Sequence, residues 1–521
     1  MGRFTRPRPF LARLLARRGR WTPSSSVAVA ACALATGVPT VSAWAQGPVV
    51  QVPTFRVNST TAGNPSTPVV ATDAVGNFVI GWSGSCAGGS TTLCARRYAP
   101  NGAPLGEEFR VPTVTADFVD SGANQSWGVA ADDDGDLVFV WVSGSTVQAR
   151  RFNASGAPQG ASFPVNAITL AQYFPAVAMD ADGDFVVVWQ GAALPFPQPP
   201  NDGVNYGIFV QLFNADGTPR GGTFRVDDRT ISVQRSPSVA MDAEGDFTVV
   251  WEGSGTGDSY GVFGRRYDAT GARVGGEFRV NTRTQEQQYQ ASVGMDDAGD
   301  AVVVWASYAQ DGQHYGVYGQ RYDADGVAAG AEFLVNTTTL SMQREPAVSM
   351  GAAGDFVVAW TQGFGLQDIY GQRYAADGTP RGGEFGVVTA GREQVDPAVA
   401  VDADGDFVVT WDDQYTGIYA QRYGNITVAT APEGDAALTL LVVPSPVRDG
   451  ARVRYTVPDA GPARVAVYDV LGREVARLAD GAVAAGVHEA TFDTAALAPG
   501  VYVVRLESGD HSLVQRVTVA R

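Results

Sequence analysis

The chain has 521 residues, 45% of them hydrophobic and 17% charged, which suits a folded, water-soluble protein of more than one domain or of repeats. Its net charge is −17, lysine is absent, and seven arginines (Arg3, Arg6, Arg8, Arg13, Arg17, Arg18, Arg20) precede residue 46, where there is no acid; −17 less seven leaves −24 for residues 46–521. A surface that acidic repels nucleic-acid phosphates and anionic membranes and argues against both as partners.

The chain begins with an arginine-rich stretch, an apolar run from Ser26 and a small-x-small site, Ala43-Trp-Ala45. That order predicts a secretory signal peptide over residues 1–45, cut between Ala45 and Gln46. A transmembrane anchor is the alternative, but Gly37 and Pro39 interrupt the run, and no other segment is long and apolar enough to span a membrane. Cys32 leaves with the signal, and Cys86 and Cys94 close a short Gly/Ser/Thr loop. In an exported protein such a pair predicts a disulfide; a metal pair is the runner-up and lacks a nearby His.

Residues 46–425 read as an internal repeat. Trp82, Trp141, Trp189, Trp251, Trp305, Trp360 and Trp411 each end an apolar run, 48 to 62 residues apart. Each unit has four short runs rich in β-branched and aromatic residues, bounded by Gly, Asp and Asn. Four strands per repeat of this length predict an all-β, seven-bladed β-propeller. The fourth-strand signature (Phe109-Arg-Val, Phe224-Arg-Val-Asp, Phe278-Arg-Val-Asn) is missing after the seventh unit and appears before the first, as Phe55-Arg-Val-Asn58. The N-terminal segment is therefore expected to close the last blade as its outer strand, which removes a free sheet edge.

The first hairpin of each unit reads D-x-x-G-D or close to it: Asp180 to Asp184 and Asp402 to Asp406 are the most acidic copies. Gly is present in all seven copies, whereas the middle acid is present in four (Asp134, Asp182, Glu244, Asp404). A hairpin needs the Gly and a capping Asp, whereas a calcium loop needs the middle carboxylate as well. The pattern favours turns and no cofactor; calcium at Asp180, Asp182, Asp184, Asp402, Asp404 and Asp406 is the alternative. Turns of this kind share one face of a propeller, and the variable loops share the other. Those loops include Cys86–Cys94, the Pro-rich stretch from Gly191 and Gln310-Asp-Gly-Gln-His314. Variable loops on a rigid scaffold carry recognition, so this face is the expected binding face.

A Gln stands eight residues before the hairpin in five units: Gln172, Gln234, Gln288, Gln343 and Gln394, with Asn124 and Pro65 in the other two. These amides either cap loop backbone between blades or ring the channel mouth and bind a polar ligand such as a sugar. Arginines at 97, 151, 266, 321, 373 and 422, with Leu212 in the third unit, follow the repeat and read as strand-face or inter-blade partners. The three histidines (His314, His488, His511) lie far apart, and no nucleophile motif, metal cluster or phosphate loop is visible.

A linker (426–437) leads to residues 438–521, where alternating short strands predict a small antiparallel, Ig-like β-sandwich. Here Pro444-x-Pro446, Tyr468-Asp469-x-Leu471-Gly472-Arg473, Gly486-x-His488, and Leu497-x-x-Gly500-x-Tyr502-x-x-Arg505-Leu506 occur in order. This run resembles the C-terminal sorting domain of the type IX secretion system; a purely structural Ig-like module is the alternative. The resemblance implies export across both membranes, with the secretion machinery as partner and a secreted or cell-surface location.

The propeller is then the cargo. The absence of a His or metal constellation favours a monomeric binding or adhesion protein that takes a glycan or a protein on its variable-loop face. An extracellular hydrolase or lyase with a site at the channel mouth is the alternative, and a structural surface protein the second.

Overall fold

The computed structural model describes residues 48–519, other than 61–63, 87–90, 114–126, 167–170, 193–205, 229–232, 256–257, 390, 415, 425–438, 444–450, 458–460, 470–472, 485, 493, 495–496, 499 and 509–510. The signal segment with Ala45 and Gln46, the linker, Asn124, Pro444, Pro446, Leu471 and Gly472, and most of the Pro-rich loop lie outside the described residues.

Among the described residues every named element is a strand. Between Val49 and Gly424 they form seven four-stranded antiparallel sheets. Blade 5 shows the plan: Gln288–Met295, Ala301–Tyr308, Tyr315–Tyr322 and Phe333–Leu334, paired in chain order. The second strand of each blade is buried on both faces, as in Phe185–Ala192 and Phe407–Asp413, which is why it reads as a continuous apolar run rather than an alternation. The repeat Trp lies at its centre, and all seven are at most 1% exposed. An aromatic pair follows the same plan, with Phe185 stacked on Phe213, Phe247 on Tyr267 and Phe356 on Tyr374.

The last blade takes its outer strand from the N-terminal side. Val49–Arg56 pairs with Gly417–Gly424, placing Phe55 opposite Ala420. Asn58 then accepts a hydrogen bond from the Ile418 N–H at 2.8 Å. The same position does the same work elsewhere: Asp227 for Ile208, Asn281 for Val262 and Asn336 for Val317. The first strands neighbour one another in blade order, and that of blade 7 (Gln394–Val401) neighbours that of blade 1 (Ser66–Thr72). Phe78, Ile80 and Trp82 of blade 1 share a core cluster with Val408, Ile418 and Ala420 of blade 7.

The C-terminal part has two antiparallel sheets. One holds Thr439–Val443, Ala451–Val457 and Gly486–Phe492; the other holds Glu474–Val483, Gly461–Asp469, Gly500–Ser508 and His511–Val519. Val453, Tyr455 and Phe492 from the first pack with Val465, Val467, Tyr502, Val504 and Leu506 from the second in one core. The sequence motif has a local reason. Asp469 accepts from the Arg473 N–H at 2.9 Å and pairs with its guanidinium at 2.7 Å, capping a hairpin, while the Tyr502 hydroxyl donates to the Ala498 carbonyl at 2.9 Å.

Candidate functional site

Six first strands contain one non-glycine residue in the left-handed region: Thr67 (φ 48°), Phe174 (51°), Ser236 (49°), Gln290 (56°), Glu345 (55°) and Asp396 (52°). Five of the six precede a proline. Each sits where the pairing with the second strand shifts register, so each is a bulge. A left-handed residue of this kind costs on the order of 1–3 kcal/mol and persists only where its surroundings dictate it. All six lie at the start of their strands, at the end of the propeller that carries the variable loops.

The surroundings are side chains of the preceding blade. The Gln290 N–H donates to Glu252 Oε1 at 2.5 Å, the Glu345 N–H to Gln290 Oε1 at 2.9 Å, and the Asp396 N–H to Glu345 Oε2 at 3.4 Å. A relay therefore runs through blades 4, 5, 6 and 7. Arg235 pairs with Glu252 at 3.0 Å, and Thr361 donates to Glu345 at 2.8 Å. Beyond Asp396 lies Asp412, which follows the blade 7 Trp as Glu252 follows that of blade 4. Asp412 is 6% exposed, and its Oδ1 is buried without a hydrogen-bond partner. Burial first, then the negative charges of Asp396 and Asp413, push its carboxyl up to about 7. Burial and Glu345 push Asp396 to about 6, and burial also raises Glu252. Burial and neighbouring negative charge both disfavour the ionised forms of Asp412 and Asp396.

Aromatic and apolar groups flank the relay. Tyr173 meets Tyr206 at 5.6 Å, Tyr289 meets Tyr315 at 4.9 Å, and His314 of the blade 5 loop meets Phe364 of the blade 6 loop at 4.8 Å. Tyr260, Leu340, Phe364 and Leu366, all from loops or strand ends on this face, are at least half exposed.

The five glutamines are placed elsewhere than a ligand-accessible ring: none is more than 2% exposed. Gln172 accepts from the Val147 N–H and donates to Asn166, Gln234 accepts from the Trp251 indole, and Gln288 donates to the Gln285 carbonyl. Gln343 donates to Gln362, and Gln394 to Asp413. The amides face inward because the orphan polar groups beneath the loops need partners. The sequence signal for the bulges lay beside them, as Gln-x-x-Pro in blades 3, 4, 6 and 7.

At the opposite face, the hairpin aspartates are committed to protein groups. Asp180 Oδ1 accepts from the Asp182 and Asp184 N–H groups, and Asp402 Oδ1 from those of Asp404 and Asp406. Asp184 binds the Ala215 N–H and Arg220; Asp406 binds Gln51. Asp182 lines a cavity of about 190 Å³ between blades 2 and 3, with Asp132, Arg151 and Gln159 among its walls. Among the described residues no three His, Cys, Asp or Glu side chains are grouped to hold a metal. Cys86 and Cys94 form a disulfide with their Cα atoms 5.9 Å apart, at the base of the blade 1 loop.

The third-strand arginines tie blade to blade. Arg151 donates to the Asp216 carbonyl of blade 3 at 2.6 Å and Arg266 to that of Asp323 in blade 5 at 2.7 Å; Arg97 and Arg321 reach Ala154 and Asp377 in the same way.

Seven antiparallel four-stranded sheets of this kind define a β-propeller-class repeat domain followed by a two-sheet sandwich. Residues 441–520 match the model of the secretion system C-terminal sorting domain, so the chain carries the export tail of a type IX system and is destined for the cell surface or for secretion. No curated protein matches the chain. Among solved structures, a polysaccharide lyase, an ulvan lyase bound to its sugar, aligns at 12% identity and TM-score 0.47 over 71% of this chain and 96% of its own. An α-L-arabinanase of Penicillium chrysogenum aligns at 10% identity and TM-score 0.42, over 60% and 96%. A protein of unknown function from Dyadobacter fermentans aligns at 13% and 0.40, over 63% and 98%.

Proposed function

We propose that the protein is a secreted or surface-displayed glycan-binding protein. Residues 1–45 act as its signal peptide and residues 438–521 as its sorting domain. Its ligand is taken at the loop-face mouth, where Asp412 lies beyond the Glu252–Gln290–Glu345–Asp396 relay. The observation that carries this reading is the buried, unpartnered Asp412 Oδ1, with Tyr260 and Phe364 exposed on other blades of the same face. Sugars present hydroxyls that donate and accept hydrogen bonds, together with apolar C–H faces that pack on aromatic rings. Left-handed bulges held by neighbouring side chains keep the polar groups in place before any ligand arrives.

The test is a glycan panel probed with the full chain and with Asp412→Asn and Phe364→Ala variants. Binding by the parent that falls at least tenfold in both variants supports the reading. Binding that both variants retain, or no binding to any glycan, moves the ligand to a protein.

Hydrolysis or elimination is the second reading, favoured by the burial of the Asp412 carboxyl, whose Oδ1 has no partner. Asp412 and Asp396 are raised to about 7 and about 6. A carboxyl that is still protonated at neutral pH can donate to a leaving oxygen while a neighbour stays ionised. New reducing ends from a bound polysaccharide, absent with Asp412→Asn, would establish it.

A further inference from the structure

At the turn face each blade interlocks with the next through the same two residues. The first Asp of one hairpin turns its Oδ2 toward the Gly of the following hairpin. A Cβ on Gly135 would come within 3.0 Å of Asp73 Oδ2, one on Gly183 within 2.9 Å of Asp132 Oδ2, one on Gly354 within 2.9 Å of Asp296 Oδ2. Around blades 7 and 1 this carboxylate also meets a guanidinium, Asp402 with Arg422 at 2.6 Å.

Blade 6 breaks the pattern. Gly351 stands where the other six hairpins have Asp. The blade 6 arginine, Arg373, has also lost its usual carbonyl partner. Arg97, Arg151, Arg266 and Arg321 reach the turn between the third and fourth strands of the next blade, but blade 7 draws its fourth strand from the N-terminal side and shows no such turn among the described residues. Arg373 is 8% exposed, its Nε is buried without a partner, and no carboxylate lies in ion-pairing distance of it among the described residues. Arg381 stands on the same wall, and Asp355, its partner at 2.5 Å, also accepts from the Ala376 N–H. Arg373 and Arg381, only the second of them paired with Asp355, thus stand around a small cavity that is also lined by Asp355, Tyr374, Val401 and Gly405. That enclosed space is about the size of one water, and it opens at the rim beside Arg381.

We propose that this wedge between blades 6 and 7 is a binding site for a small monovalent anion, a halide or a compact carboxylate, which replaces the hairpin aspartate that Gly351 omits. A buried guanidinium without a counter-charge is costly, and an anion that binds only the folded state removes that cost. Arg373 supplies the charge from inside, and Arg381 from the rim. The Gly351 hairpin is the only one of the seven to start without Asp; Asp228 also faces two arginines, Arg265 and Arg273, but these belong to a blade that keeps Asp242.

The test uses the full chain at fixed ionic strength, with sodium chloride, bromide or formate exchanged for the salt of a bulky anion. Expected is a saturable rise in Tm of about 1–3 °C with the small anions. Halide and formate responses together mean that size and charge suffice; a formate response alone assigns the site to carboxylates. Gly351→Asp places the carboxylate back on a backbone that is not left-handed at this position, against a 3.2 Å contact with Val401. That variant should gain Tm at low halide and lose the anion response, and Arg373→Met should lose the response without the gain. Bromide-soaked crystals of the parent should show an anomalous peak beside Arg373, whatever the variants do. An equal anion response in parent and Gly351→Asp, or no bromide at this wedge, overturns the proposal.

Discussion

Arg422, in the third strand of blade 7, donates a hydrogen bond to the carbonyl oxygen of Gly76 in the first hairpin of blade 1 at 3.0 Å, across 346 positions of sequence. The same guanidinium holds Asp402 at 2.6 Å, and both side chains are at most 3% exposed. Burial outweighs that partner and still raises the Asp402 carboxyl above its ordinary range. Removing Arg422 leaves a buried acid without a counter-charge and opens the contact between the last blade and the first. Arg422→Met should therefore lose about 3–5 kcal/mol in urea unfolding. A loss within experimental error would show that the contact is not what holds the two blades together.

The outer strand of blade 7 makes a second, separate demand. Asn58 is 1% exposed and its Oδ1 satisfies the buried Ile418 N–H. Asn58→Ala strands that donor and should cost about 1–3 kcal/mol. Deleting residues 48–58 exposes the third-strand edge Gly417–Gly424, so concentration-dependent aggregation is expected by light scattering. A deletion variant that stays monomeric would show that the edge is covered by something other than this strand.

The mouth acids make stability depend on pH in an uncommon direction. Asp412 and Asp396 have folded-state values raised to about 7 and about 6, above the ordinary value of about 3.9 for an unfolded Asp. In that window the folded state binds more protons than the unfolded chain, so stability is fully present below about pH 4 and is lost as pH rises through 6 and 7. Thermal unfolding of the parent should fall from pH 5 to pH 8 by more than that of Asp412→Asn, whose amide does not titrate. Parallel curves would mean that Asp412 is ionised throughout. Glycan affinity should follow the same slope if the protonated carboxyl is the donor.

The tail prediction concerns export. Deleting residues 438–521 should leave the protein in the periplasm, and fusing them to a folded reporter should carry the reporter past the outer membrane. Asp469→Ala removes the cap on the Arg473 N–H and should cost about 1 kcal/mol in the tail's own unfolding. Normal secretion of the truncated chain would remove the sorting role from these residues.

Much of the architecture was legible in the residues themselves. Repeat number, strand order, the hairpin turns, the displaced Phe55–Asn58 strand and the tail motif all depend on chemistry within a few positions: an apolar run, a Gly at a left-handed turn, an Asp that caps its own backbone. Gly183 (φ 87°) with Asp180 is such a case, complete within four residues. Only the assembled blades decided the rest. Whether Gln343 met solvent or Gln362 depended on what covered it, and a repeated Gln has the same sequence in either case. Gln-x-x-Pro marks where Glu345 and Asp396 lie, but the side chains of the preceding blade that hold their N–H groups come only from the assembled ring. Arg373 looks like its five counterparts in the chain, and it differs because the next blade borrows its outer strand from the far end of the sequence. Local backbone geometry is set by neighbours in sequence, whereas burial, counter-charge and strain are set by neighbours in space.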